Sequence, residues 1–311
     1  MTNVLTSPSG APASALCFGT MQFGERADAT ASRAMYDDCR TAGINFFDTA
    51  YVYTGGKSET LLGEFVQAER DDLILATKAA YDRSASRENI LGSFDESRKR
   101  MGVDVVDLLY MHRWDAETPL EETFETLAEL RQAAKIRYIG ISNYAAWQVV
   151  KALGVAAKFG TTIDVLQPMY NLVKRQAEVE ILPACASEGV GVVPYSPLGG
   201  GLLTGKYAKG GSGRLAEDSR YNARYNVDWM HRAAAALPEI AAQHNVQAAT
   251  LAVAWVAKNP AVTAPIISAK SSEQLVPSLA ALGFEMSDTL YEDVTALSET
   301  PAPATDRLEE A

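Results

Sequence analysis

The sequence predicts an α/β fold: a single-domain (β/α)8 barrel of the TIM type, with a long loop and an extra helix after the seventh strand. Three observations lead there. Eight short apolar runs are spread along the chain. Stretches with helical spacing of apolar residues separate them. Successive runs start roughly 30 residues apart, the length of one strand-plus-helix unit, with a single longer gap. Most runs are apolar throughout, as parallel strands covered on both faces are. Eight strands alternating with helices favour a barrel. An open doubly wound sheet is the alternative, because periodicity alone does not close a sheet on itself.

In chain order the predicted strands are Leu16–Gly19, Ile44–Phe47, Leu73–Thr77, Val105–Tyr110, Tyr138–Ile141, Val165–Gln167, Gly191–Tyr195 and Val262–Ile267. Ser58–Ala68 opens with Ser-Glu-Thr, a helix-start signature, and continues Leu61, Leu62, Phe65 and Val66 at helical spacing. Arg87–Met101, Leu120–Ala134, Ala145–Phe159 and Gln176–Glu188 follow the same period. The gap runs from Ser196 to Ala261. Its first part, Pro197 to Asn226, is rich in Gly, Arg and Tyr and reads as a mobile cover. Helices Trp229–His244 and Ala248–Asn259 follow. The tail from Thr300 has two prolines and no apolar period, so it reads as poorly ordered.

At about 150 residues per domain, 311 residues would suggest two domains. Barrels of about 250 residues, and longer with insertions, are single domains. The expected division is therefore an N-terminal segment 1–15, a barrel 16–299 and a tail 300–311. Lys+Arg number 28 against 39 Asp+Glu, a net charge of −11. Such a chain repels phosphate backbones and anionic lipid, which argues against nucleic-acid and membrane partners. Cys17, Cys39 and Cys185 are odd in number and far apart, as expected in a reducing compartment. They show no spacing suited to zinc, and no metal is expected. No apolar run reaches the length of a membrane span, and the first residues lack the pattern of a signal peptide. The expected location is the cytoplasm.

In barrel enzymes the chemistry sits at the C-terminal ends of the strands. Asp48, Lys78 and His112 fall just past predicted strands two, three and four, and Tyr53 lies in the loop after Asp48. A tyrosine with an ordinary pKa near 10 is a poor acid at neutral pH. A lysine ammonium beside it favours the phenolate, and a carboxylate keeps that lysine charged and in place. A histidine can orient a carbonyl oxygen or share the proton. The set suits protonation of a carbonyl as hydride arrives from a cofactor. Each residue also has a plainer reading: Asp48 as a helix cap, Tyr53 as a turn residue, Lys78 as a surface lysine, His112 as a satisfied core side chain. A second group lies at later strand ends. Ser142, Asn143 and Gln167 could hydrogen-bond a carboxamide, and Tyr195 could stack on a planar ring. Their plainer readings are a cap, an internal hydrogen-bonder and a core residue.

The residues also carry a family likeness. The chain resembles the aldo-keto reductases, in the long bacterial branch that is similar to the β-subunits of potassium channels. The motifs are Gly19-Thr-Met-Gln-Phe-Gly24, Asn45-Phe-Phe-Asp-Thr-Ala-Tyr-Val-Tyr53, Ser58-Glu-Thr-Leu-Leu-Gly63, Ala76-Thr-Lys78, Tyr110-Met-His112, Lys135-Ile-Arg-Tyr-Ile-Gly-Ile-Ser-Asn143 and Tyr195-Ser-Pro-Leu-Gly-Gly-Gly-Leu-Leu-Thr-Gly-Lys206. The likeness runs from about Leu16 to about Leu282. It implies NAD(P)H-dependent reduction of aldehydes and ketones, and the reverse alcohol oxidation. Asp48, Tyr53, Lys78 and His112 take the places of the catalytic tetrad, with Tyr53 as proton donor tuned by Lys78 and Asp48. The nicotinamide contacts fall on Ser142, Asn143, Gln167 and Tyr195, with Gly19, Thr20, Met21 and Asp48 beside them. The pyrophosphate loop falls on Ser196, Pro197, Leu198, Gly200, Leu202 and Lys206. The adenosine-phosphate segment falls on Ile267, Ser268, Lys270, Gln274 and Ser278.

Three residues depart from the family pattern. Ser268 stands where Gly is frequent, and Lys270 where Arg is, which keeps the charge but loses the planar fork. Ser278 replaces a usual Asn. Lys270 and Ser271 still favour a 2′-phosphate, so NADPH is expected ahead of NADH. A short-chain dehydrogenase would need Tyr-x-x-x-Lys on a helix. Tyr53–Lys57 contains Gly55-Gly56, Tyr170–Lys174 begins where a strand ends, and no G-x-G-x-x-G follows the first strand. The other alternative is a nucleotide-binding regulatory subunit with little turnover, like the channel β-subunits; the short segment before the first strand weighs against it. The expected partner is a small carbonyl compound. Met21, Tyr51, Trp114, Tyr221 and Tyr225 are the candidate walls of its pocket, or packing residues.

Overall fold

The computed structural model describes residues 5–209, 211, 213–307 and 309. Residues 1–4 of the expected N-terminal segment and 308, 310 and 311 of the tail lie outside the described residues. The chain alternates strand and helix: β1 (Cys17–Gly19), α1 (Ala29–Thr41), β2 (Phe46–Asp48), α2 (Lys57–Val66), β3 (Ile74–Ala79), α3 (Arg87–Met101), β4 (Val106–Met111), α4 (Leu120–Gln132), β5 (Ile136–Ser142), α5 (Ala146–Lys158), β6 (Val165–Gln167), α6 (Ile181–Glu188) and β7 (Gly191–Val192). After β7 come α7 (Arg214–Glu217), α8 (Ser219–Tyr225), α9 (Asp228–Gln243) and α10 (Ala248–Lys258), then β8 (Ile266–Ile267), α11 (Ser272–Leu279) and α12 (Asp288–Thr295). The strands form one eight-stranded parallel sheet, with β1 between β2 and β8. Its two ends meet. Thr263 N donates to Val192 O at 2.7 Å, Ile266 N donates to Pro194 O at 2.8 Å, and Tyr195 bridges Ile266. The sheet is therefore curled on itself, consistent with a (β/α)8 barrel and not with the open-sheet alternative.

Strands seven and eight are shorter than the sequence predicts. Each predicted run contains a proline, Pro194 or Pro265, which has no N–H to give to a ladder. The Pro194–Tyr195 and Thr263–Pro265 stretches accordingly pair through isolated bonds. The glycine-rich stretch after β7, expected as loop, is coiled into 3-10 turns at Gly199–Thr204 and Lys206–Lys209 and into α7 and α8. Helices α1, α11 and α12 were not singled out from the sequence. α1 buries Ser32, Met35, Tyr36 and Cys39 at helical spacing, a face too polar to stand out. Pro277 interrupts the pattern of α11.

Side chains alternate along each strand. Cys17, Phe46, Ile74, Ala76, Leu108, Tyr110 and Val165 pack with one another on the enclosed side of the sheet. Phe18, Phe47 and Leu75 pack instead with Tyr36, Leu62 and Val66 of the helices. Two residues beyond Phe46, Ala76, Tyr110 and Val165 come Asp48, Lys78, His112 and Gln167. The period of two thus carries the enclosed row to its polar rim. Gly140 is part of the same arrangement: a Cβ there would lie 2.2 Å from Tyr110 Cδ1, so the glycine makes room for the ring beneath the rim.

Candidate active site

Lys78 is the hub of that rim. Its side chain has no exposed surface. Its ammonium donates to Asp48 Oδ1, to the Thr49 carbonyl at 2.7 Å and to the Tyr53 hydroxyl at 3.3 Å. Asp48 Oδ2 accepts from Gln167 Nε2 at 2.9 Å. Asp48 caps no helix and Lys78 is no surface residue, so both plainer readings fail. Tyr53 begins the 3-10 turn Tyr53–Gly56 and is partly exposed, with the Lys78 ammonium 4.8 Å from its ring centroid. His112 follows β4, is 8% exposed, and meets the Tyr53 ring edge-on at 6.0 Å. Its Nδ1 is buried with no hydrogen-bond partner among the described residues, which is not the state of a satisfied core histidine.

The charges follow from these surroundings. Burial raises the Asp48 carboxyl above its ordinary value, and Lys78 and Gln167 offset only part of that rise. Burial opposes the Lys78 charge, but Asp48 and the Tyr53 hydroxyl outweigh it and its pKa rises. For Tyr53, burial raises the phenol more than Lys78 lowers it. This corrects the simpler expectation that Lys78 makes Tyr53 more acidic than an ordinary phenol. His112 falls to about 2, through burial and then the charges of Lys78 and Arg113. At neutral pH the rim thus holds an ammonium–carboxylate pair, a protonated phenol and a neutral imidazole.

The second group joins the same network. Ser142 Oγ donates to Gln167 O at 2.9 Å, Asn143 Nδ2 donates to His112 O at 3.0 Å, and the Tyr195 hydroxyl donates to Asn143 Oδ1 at 2.7 Å. Gln167 follows its plainer reading in part, since its amide nitrogen donates to Asp48 Oδ2. Tyr81 was missed from the sequence: it is 42% exposed and packs on the His112 ring at 4.6 Å, with the Arg113 guanidinium 5.7 Å from its own ring. Its position just past β3 was the signal available.

Comparison with known proteins gives this rim a context. The profile of the Aldo/keto reductase family matches residues 15–299. The chain belongs to the aldo/keto reductase family. A probable voltage-gated potassium channel subunit beta of Oryza sativa subsp. japonica is 36% identical, over 88% of this chain and 89% of its own. L-glyceraldehyde 3-phosphate reductase of Escherichia coli (strain K12) is 34% identical, over 84% of this chain and 81% of its own. Norsolorinic acid reductase of Emericella nidulans is 35% identical, over 93% and 79% respectively.

The residues that the motif likeness implies as cofactor contacts divide by exposure. Met21, Ser196, Leu198, Gly200 and Lys206 are partly exposed, and Lys270 and Gln274 are exposed. Thr20 is buried, its Oγ1 2.7 Å from Ser58 Oγ, and Gly19 and Pro197 are buried as well. Leu202, Ile267 and Ser278 are each 1% exposed, so their side chains belong to the protein interior. At the start of α11, Ser271 Oγ accepts from Gln274 N at 3.3 Å and Gln274 Oε1 accepts from Lys270 N at 2.9 Å. Ser268 Oγ and Ser272 Oγ are buried there without partners among the described residues. Unpaired hydroxyls at a helix start beside an exposed lysine suit a phosphate. Among the candidate pocket walls, Tyr51 lies under Arg100 at 4.5 Å, and Trp114 packs edge-on against Tyr144 and Trp147. Tyr221 is partly exposed, whereas Tyr225 is wholly buried and its hydroxyl accepts from Asn171 Nδ2 at 3.2 Å. Tyr225 therefore lines no open surface. Among the described residues no cluster suited to a metal occurs, and no helix is long and apolar enough to cross a membrane.

Proposed function

We propose that this chain is an NADPH-dependent reductase of aldehydes and ketones, also able to run the reverse alcohol oxidation, with Tyr53 as proton donor. The observation that carries the reading is the buried Lys78 ammonium, bonded to Asp48 on one side and to the Tyr53 hydroxyl at 3.3 Å on the other. Tyr53 gives its proton to the carbonyl oxygen, and the phenolate left behind faces a fixed cation in a poorly solvated site. Burial keeps the phenol protonated beforehand, so the acid is loaded at neutral pH. His112, neutral, orients the carbonyl oxygen. Bound NADPH would supply the hydride. Ser142, Asn143, Gln167 and Tyr195 would hold its nicotinamide, the Ser196–Lys206 loop its pyrophosphate, and Ser268, Lys270, Ser271 and Gln274 its adenosine phosphate. The two unpaired serine hydroxyls and the exposed lysine support the choice of NADPH over NADH.

The test is oxidation of NADPH against a panel of aldehydes, ketones and sugars, beside binding titrations with NADPH and NADH. Turnover that Tyr53→Phe abolishes while NADPH still binds is the expected result. The second reading, a nucleotide-binding regulatory subunit with little turnover, is favoured by the similarity to the rice channel subunit. NADPH binding with negligible turnover on every carbonyl, together with recovery of a stoichiometric membrane partner, would decide for it.

A further inference from the structure

The loop that carries Tyr53 is held from behind. Arg100, at the end of α3, donates from Nη1 to the Tyr51 carbonyl at 2.8 Å and to Glu59 Oε2 at 3.0 Å. Its Nε donates to Glu96 Oε1 at 3.2 Å, and its guanidinium lies 4.5 Å over the Tyr51 ring. Glu59 is wholly buried in the first turn of α2. Its other oxygen accepts from Thr77 Oγ1 at 2.7 Å, and Thr77 precedes Lys78 in β3. One ion pair, with Glu59 buried and Arg100 partly exposed, therefore touches the chain two residues before Tyr53 and the residue next to Lys78. The frame around it is rigid. A Cβ at Gly63 would lie 2.4 Å from Met101 Cα, so α2 and α3 meet backbone to backbone one residue from Arg100. The loop itself bends sharply: Thr54 and Gly56 have φ of 49° and 92°, and a Cβ at Gly56 would meet Arg100 Cζ at 2.7 Å. Such a turn persists where its surroundings hold it.

We propose that Arg100, working with Glu59, is a positioning residue for the proton donor. It fixes the Tyr51–Gly56 loop so that the Tyr53 hydroxyl stays on Lys78. The proposal rests on Tyr53 being the acid, as argued above. The planar fork matters because one guanidinium nitrogen serves both a carbonyl and a carboxylate while the next holds Glu96, an arrangement a point-charge ammonium does not reproduce.

The experiment uses the cofactor-loaded enzyme and four variants: Arg100→Ala, Arg100→Lys, the charge-balanced pair Arg100→Met with Glu59→Gln, and Tyr53→Phe as reference. Arg100→Ala is expected to lose up to about 100-fold in kcat, the scale of a displaced catalytic group, with NADPH affinity unchanged. Because Lys78 is what lowers the Tyr53 phenol, loosening that contact also moves the alkaline limb of kcat to higher pH. The guanidinium borders a cavity of about 450 Å³ lined by Gly24, Asp28, Gly55, Gly56, Lys57 and Leu61. Free guanidinium ion at non-denaturing concentration should enter it and restore part of the kcat of Arg100→Ala but none of that of Tyr53→Phe. Arg100→Lys should recover less than the free ion does. If Arg100→Ala does not fold, the charge-balanced pair decides: low kcat in a folded, NADPH-binding protein supports the proposal. Parental kcat in either Arg100→Ala or the balanced pair, with Tyr53→Phe inactive, overturns it. Full activity in Tyr53→Phe overturns instead the reading of Tyr53 as acid.

Discussion

Lys78 and Lys270 stand in two regions of the proposed site that are built differently. Lys78 has no exposed side-chain surface, a carboxylate, a carbonyl and a phenol as partners, and a frame of strands around it. Lys270 is exposed on a connection, and its backbone N–H donates to Gln274 Oε1. Around Lys78 the charged groups are paired with one another and with neighbours, while the Tyr110 hydroxyl and His112 Nδ1 are buried without partners among the described residues. Around Lys270 the charged group is left open, and Ser268 Oγ and Ser272 Oγ are buried without partners among the described residues. On the proposed function the two regions have two tasks. Proton chemistry needs groups fixed before substrate arrives, since reorganisation at the moment of reaction raises the barrier. Phosphate recognition needs donors left unspent, since a group already paired gains little from a ligand.

Four measurements press on this contrast, from the largest effect to the smallest. Tyr53→Phe should lower kcat by about 10²- to 10⁴-fold, the range of a lost general acid, while NADPH titration by fluorescence remains near the parent. Equal loss of cofactor binding would make Tyr53 part of the binding surface instead. Lys78→Met strands Asp48 as an uncompensated buried charge. A loss of about 3–5 kcal/mol in urea unfolding is expected, and no measurable loss would mean the pair is not buried as described. Lys270→Ala should barely change stability yet weaken NADPH by roughly tenfold or more, the worth of one charge-assisted hydrogen bond, with NADH unaffected. An equal change for both nucleotides would place Lys270 away from the 2′-phosphate. The smallest effect is a pH slope. His112 is held neutral in the fold, with its pKa down to about 2 from 6.5. Its contribution to stability is full above the unfolded value and declines as pH falls below it. His112→Gln should therefore flatten the fall in unfolding free energy between about pH 7 and about pH 5. An unchanged slope would show that the ring protonates in the folded state.

The same two regions differ in what the sequence discloses. Asp48, Lys78 and His112 were legible because strand ends can be read from apolar runs and because the period of two fixes which residues share a face. The strands proved to end one residue later at β2 and β4 and two later at β3, without changing that face. The bond from Gln167 to Asp48 was not legible, since it joins β6 to β2 across the enclosed side, a contact no local pattern encodes. Tyr110 was likewise passed over as an ordinary apolar strand residue, although Gly140 and Lys78 are arranged around its ring. The segment after β7 defeated composition-based reading for another reason. Gly199, Gly200, Gly201 and Gly205 adopt left-handed conformations within and between short turns, so glycine there permits compact coiling instead of an open loop. Motif likeness located the Lys270 region, but which side chains lie inward was decided by packing. Ser278 and Ile267 went into the interior, and Lys270 did not.

The burial of Lys78 has a chemical consequence of a different kind. A primary amine and an aldehyde condense to an imine whenever the amine is unprotonated and free to approach the carbonyl carbon. An enzyme that takes up aldehydes therefore carries a hazard in any lysine beside its reacting centre. The Lys78 nitrogen is kept protonated by Asp48 and has its N–H bonds committed to Asp48, Thr49 and Tyr53, so no lone pair is presented to the bound carbonyl. On the proposed function, the bonds that set the charge for proton transfer would also protect the site from its own substrate.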